Sequence, residues 1–147
     1  MKIIITDKIR EILVDIIAGS FVFLLIYAAF SKLLDFDKFQ IELGKSPIIS
    51  PIFNFVAIAT PSVEIGISVL LIIKRFRYLG LSLSYSLMMM FSTYIILILR
   101  LGTDIPCTCG GILETLSWNQ HLVFNIFFIV LATAGILLTN VKKSLLQ

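Results

Sequence analysis

The stretch Ile12–Phe30, ILVDIIAGSFVFLLIYAAF, decides the fold of this chain. It carries one charge, Asp15, near its start, and Ser31-Lys32 closes it. An α-helix rises 1.5 Å per residue, so roughly 20 such residues cross the hydrocarbon of a bilayer. Three more segments of the same kind follow. One opens at Pro51, where proline suits a first helical turn, and closes at Lys74-Arg75-Phe76-Arg77. The next runs from Tyr78 to Arg100, and the last from near His121 to Asn140, before Lys142-Lys143. None alternates with period two, which argues against a transmembrane β-barrel. The pattern predicts a single all-α membrane domain, a four-helix bundle with spans at about 12–32, 51–73, 78–100 and 120–140.

Composition agrees. Of 147 residues, 59% are hydrophobic and 14% charged, and the mean hydropathy is +1.04. Soluble domains are about 45–50% apolar and about 25% charged. Four spans use about 80 residues, which excludes a large soluble catalytic domain. The net charge of +3 is not gathered into a basic block with interleaved aromatics, which excludes a nucleic-acid-binding domain. A basic start and the Ala28-Ala29 pair resemble a signal peptide. The apolar run is long for a signal core, so it is read as a span.

Lysine and arginine set the orientation. Lys2, Lys8 and Arg10 precede the first span, Lys74, Arg75 and Arg77 join the second to the third, and Lys142 and Lys143 follow the fourth. The opposite side holds Lys32, Lys38, Lys45 and Arg100, mixed with Asp35, Asp37 and Glu42. This asymmetry predicts a bacterial inner-membrane protein with both termini cytoplasmic and the loops at about 31–50 and 100–120 outside. In the first outer loop, Leu33, Leu34, Phe36, Phe39, Ile41 and Leu43 alternate with charged residues. That suits a short amphipathic helix at the membrane surface, ended by Gly44 and Pro47.

The only two cysteines lie in Ile105-Pro106-Cys107-Thr108-Cys109-Gly110-Gly111, on the predicted outer side, where disulfides persist. A bond closing so small a ring gains little chain entropy. It would be strained, and strained, exposed disulfides are the labile or catalytic ones. A redox pair is therefore the leading reading. An inert local disulfide, free thiols and a metal site stand beside it. His121, the only histidine, is a candidate base favouring thiolate. It is also a candidate third soft-metal ligand with Cys107 and Cys109, and on its own it reads first as an interfacial residue beside Trp118.

Glu64 lies about 13 residues into the second span, a depth at which an acid must face the bundle interior. Counting helix rise brings it level with Ser20, Met88 and Thr133. Those are its expected neighbours, the two hydroxyls as donors. A proton or quinone site and a plain interhelical hydrogen bond are the two readings. Pro61, three residues earlier, removes a backbone donor and predicts a kink. Asp15 is expected to reach water or Arg10. Lys32 is expected to snorkel to the outer interface.

These residues together resemble a known family. The stretch Tyr27-Ala28-Ala29-Phe30-Ser31-Lys32-Leu33-Leu34-Asp35-Phe36 resembles the end of the first helix in MauE and DoxX membrane proteins, with alanine as the small residue before the lysine. Pro61-Ser62-Val63-Glu64, followed by Gly66, resembles the PxxE step of their second helix. Arg100 followed by Cys107-Thr108-Cys109-Gly110-Gly111 resembles the cysteine-containing loop of MauE-like members, and Trp118, His121 and Asn125 resemble the opening of their last helix. The resemblance covers about residues 12–140.

It implies a four-helix membrane bundle associated with redox chemistry. MauE proteins are linked to maturation of methylamine dehydrogenase alongside a thioredoxin-like partner, and DoxX-type proteins to a membrane thiosulfate:quinone oxidoreductase. The expected function is a thiol–disulfide redox component between an extracytoplasmic thioredoxin-like protein and a quinone or partner membrane subunit. One cysteine pair cannot relay electrons through the bilayer by thiols alone, so quinone or a partner must complete the path. No nicotinamide, flavin or haem motif is visible. A heavy-metal binding or transport protein and a non-catalytic assembly subunit for a partner enzyme are the alternatives.

Overall fold

A computed structural model describes residues 7–46, 48–101 and 117–145. They form four long helices, α1 (Asp7–Leu34), α3 (Phe53–Ile72), α4 (Arg77–Leu101) and α5 (Trp118–Leu145), with a short helix α2 (Phe36–Lys45) between the first two. All four long helices are long and apolar enough to cross a membrane, which makes this a multi-pass membrane protein. There are no strands among the described residues. Only helices and closed barrels satisfy their own backbone in lipid. α1 and α5 extend beyond the apolar runs, to Asp7 and Leu145. The charged ends of such helices can lie outside the hydrocarbon while the chain stays helical. α3 runs unbroken through Pro61.

α1 packs chiefly on α3 and α4 on α5, while contacts of α3 with α4 and α1 with α5 close the bundle. The core joins Phe21 and Leu25 of α1, Leu71 of α3, Leu81 and Met88 of α4, and Phe128 and Ala132 of α5. Phe21 meets Phe128 edge-on, with centroids 5.1 Å apart. Phe23, Phe55 and Phe127 face outward, as lipid permits. Lipid removes the hydrophobic drive between helices, so close packing of small residues carries association. Gly80 and Gly135 show this directly. A Cβ on Gly80 would lie 3.0 Å from the Leu71 backbone nitrogen, and one on Gly135 would lie 3.2 Å from both Ile17 and Leu81.

The hydroxyls within the helices are satisfied locally. Ser20 donates to the Ile16 carbonyl, Ser68 to Glu64, Ser92 to Met88 and Thr133 to Ile129, each one turn back. This bonding lets a hydroxyl sit in lipid without a partner on another helix. It also corrects the expected neighbours of Glu64: Ser20 and Thr133 bond within their own helices, and only Met88 lines a cavity with Glu64.

The expected amphipathic helix is present as α2, with shifted ends. Leu33 and Leu34 continue α1, and α2 passes through Gly44 to Lys45. Ser46 ends it, its N–H bonded to the Leu43 carbonyl at 3.1 Å. Pro47 lies outside the described residues. Phe39 and Leu43 bury their side chains with Ala57, against Phe53 and Val56 of the α3 segment. Tyr94 of α4 donates to the Ser46 hydroxyl at 3.0 Å, pinning the far end of α2.

At the opposite end, Arg77 pairs with Asp15, and Arg10 with Asp7 at 2.6 Å. The expected reach of Asp15 to Arg10 is thereby corrected. Arg77 at the start of α4 sits closer to that part of α1, and Arg10 pairs one turn along its own helix.

Candidate functional site

α1 and α3 run antiparallel, and every Cα–Cβ bond leans toward the N-terminus of its own helix. Lys32, in the last turn of α1, therefore leans back into the bundle. Glu64, about 16 Å along α3 from Phe53 by helix rise, leans toward the same level from the other direction. They meet: Lys32 Nζ donates to Glu64 Oε1 at 2.8 Å and to the Ala28 carbonyl at 3.3 Å. The same ammonium stands 5.9 Å from the centroid of the Phe39 ring of α2, within the range at which a cation is attracted by an aromatic face. The two charged side chains are 5% and 1% exposed. The expectation that Lys32 snorkels outward is overturned. Its stem folds toward the interior because a carboxylate is held there, and α2 covers it.

An ion pair this deep persists because each charge needs the other. Removing one partner of a buried pair typically costs about 3–5 kcal/mol.

The pair borders a cavity of about 300 Å³. Its walls are mostly apolar, among them Leu24, Leu25, Met88, Phe91 and Phe124. Its polar groups are Lys32, Glu64, Thr60, Tyr94, His121 and Asn125. A concave apolar site with a few convergent polar groups is the usual form of a small-molecule pocket. His121 and Asn125 are 3% and 2% exposed. They stand four residues apart on α5, so one helix face presents both to the cavity. His121 is thus buried against the cavity, near the start of α5.

Of the sequence candidates, Lys32, Glu64 and His121 come together around this cavity. Cys107 and Cys109 lie outside the described residues. The chain connects them to the site: residues 102–116 join α4, which supplies Tyr94, to α5, whose first turns supply His121 and Asn125. Among the described residues, no three His, Cys, Asp or Glu side chains gather as a metal site would require. Asn125 and Tyr94 were not candidates on chemistry. The signal for Asn125 was a buried-face amide one helical turn after His121. Tyr94 gave none, because its role depends on where α2 ends.

No curated protein matches the chain, and no solved structure does. A protein family does. The family described as methylamine utilisation protein MauE matches residues 10–138, which reach into all four spans and take in the whole of the cavity lining, and the chain belongs to that family.

Proposed function

We propose that this protein is a membrane thiol–disulfide redox component in which Cys107 and Cys109 exchange electrons with an extracytoplasmic thioredoxin-like protein. The cavity at Lys32 and Glu64 takes the quinone that completes the path. The observation that supports this reading is the cavity itself, an apolar chamber with buried ionic and amide groups, lined by helices that flank the cysteine segment. The exchange balances: two thiols lose two electrons and two protons and form an S–S bond, and a quinone gains both to become a hydroquinone, or the reverse. His121 serves as the base that favours thiolate. The family's name points to methylamine utilisation, and thiol redox during maturation of an extracytoplasmic enzyme is the form of that role we favour. The basic residues near 2–10, 74–77 and 142–143 support cytoplasmic termini on this reading.

Thiol exchange proceeds through a mixed disulfide that a second thiol resolves. The single variants Cys107→Ser and Cys109→Ser therefore behave differently. We expect Cys109 to attack, because the residues that follow it, Gly110 and Gly111, carry no side chains, so Cys107→Ser accumulates a reducible adduct with a thioredoxin-like partner and Cys109→Ser does not. Acid-quenched alkylation of cells followed by non-reducing gels reads this. Absence of any adduct together with full function of the double serine variant would overturn the redox reading in favour of an assembly subunit. A membrane-impermeant thiol reagent should label reduced Cys107 or Cys109 in intact spheroplasts; labelling only after lysis reverses the orientation.

A further inference from the structure

Two buried polar atoms have no hydrogen-bond partner among the described residues, Glu64 Oε2 and Asn125 Nδ2. Both side chains line the same cavity. Neither turns to water, since Glu64 is 0% and Asn125 2% exposed. Buried polar groups are normally partnered, and two orphans facing one chamber mark where a bound molecule completes the bonding. The chemistry of that molecule follows from the atoms. Glu64 Oε1 already holds the Lys32 ammonium, and the second oxygen of an ionised carboxylate only accepts, while an amide nitrogen only donates. The missing molecule must therefore offer an O–H or N–H to Glu64 and an acceptor to Asn125. Lys32 and Glu64 already balance each other's charge, so the molecule is neutral. The apolar walls and the volume of about 300 Å³ suit one ring with small substituents. Met90 lines the cavity and is 56% exposed, so the chamber reaches the lipid-facing side of α4.

We propose that the cavity binds a neutral, membrane-dissolved hydroxyl compound, and that of a quinone couple it holds the hydroquinone in preference to the quinone. This rests on the reading of the cavity as a quinone site given above. A hydroquinone gives one O–H to Glu64 and one hydroxyl oxygen to Asn125. A quinone has only acceptors, so its carbonyl would face Glu64 Oε2 acceptor against acceptor. Tighter binding of the reduced form makes the bound quinone easier to reduce. A tenfold preference corresponds to about 30 mV for a two-electron couple. On the protein this favours one step, while the potentials of the free couples set the direction of turnover. Two electrons and two protons leave the Cys107 and Cys109 thiols, the disulfide forms, and the bound quinone becomes the hydroquinone.

The test is equilibrium binding to the full chain in lipid nanodiscs, without oxygen, using durohydroquinone, duroquinone and 1-decanol as probes. Wild type is expected to bind durohydroquinone at least about tenfold more tightly than duroquinone, the scale of one hydrogen bond to a charged group. Glu64→Gln can turn an N–H toward a carbonyl, so its preference should fall to about twofold or less. Asn125→Leu keeps the ion pair, guards against a folding failure of the glutamine variant, and should weaken both forms together with the ratio retained. Equal binding of the two forms by wild type, or preference for duroquinone, overturns the selectivity while the quinone site stands. Binding of neither overturns the selectivity and the quinone arm of the proposed function together, and the cysteine-trapping result judges the thiol arm separately. Decanol binding as tightly as durohydroquinone overturns the quinone assignment and gives the chamber to a hydroxylated lipid.

Discussion

Two of the ion pairs among the described residues join different helices, one toward each side of the bundle, and they are built from similar groups in different surroundings. Near residues 74–77, Arg77 and Asp15 join α4 to α1 with side chains 16% and 49% exposed. Under α2, Lys32 and Glu64 join α1 to α3 with 5% and 1% exposed. Arg77 has a second acceptor in the Leu71 carbonyl, and much of Asp15 stays open. A pair of that kind contributes about 0–1 kcal/mol and weakens in salt. Lys32 and Glu64 have given up their hydration, and among the described residues each other, one carbonyl and one aromatic face replace it. The difference teaches where this molecule tolerates charge for anchoring and where it holds charge for a site. An intramembrane ionisable group is costly to keep, and its retention beside a cavity with two unpartnered polar atoms is the reason to seek chemistry there.

The comparison breaks most visibly if one charge of the buried pair is removed. Lys32→Met leaves Glu64 buried without its counter-ion and should lower bundle stability by about 3–5 kcal/mol, measured by detergent-titrated unfolding followed by circular dichroism. A loss under about 1 kcal/mol would mean that Glu64 has another partner. The double variant Lys32→Met, Glu64→Leu should recover to within about 1 kcal/mol of wild type, because paired apolar replacements of a buried ion pair are often neutral. It should still lose hydroquinone binding, which separates stability from site chemistry.

Tyr94→Phe takes the donor from the buried Ser46 hydroxyl. It should cost about 1 kcal/mol and speed amide hydrogen exchange in α2 ahead of the long helices. Uniform exchange would show that α2 is held by Phe39 and Leu43 alone. The smallest effect belongs to the other end. Asp15→Asn should change stability by less than about 1 kcal/mol, and by still less at high salt. A loss comparable to that of Lys32→Met would erase the distinction between the two ends.

The amphipathic character of α2 was readable in residues 33–43, and its buried residues Phe39 and Leu43 are among those the pattern marks as apolar. Its limits were not, because Leu33 and Leu34 are as apolar as the span they extend. Reading Glu64 by depth failed for a definable reason. Counting 1.5 Å per residue locates Cα atoms, whereas Lys32 and Glu64 meet through long side chains leaning toward each other from antiparallel helices. The same count overvalued Ser20 and Thr133, whose hydroxyls bond one turn back on their own helices.

By itself the sequence determined the four spans, since lipid requires each crossing to bond its own backbone and to present apolar side chains outward. It also marked Lys32, Glu64 and His121 as residues that such an environment must account for. Only the tertiary structure decided that these three share one chamber, that Asn125 completes it, and that Lys32 turns inward beneath α2. Hydrophobic patterning is a one-dimensional consequence of the solvent. The partner of a buried charge is chosen by helix direction, side-chain lean and the cover of a neighbouring helix, which exist only once the chain has packed.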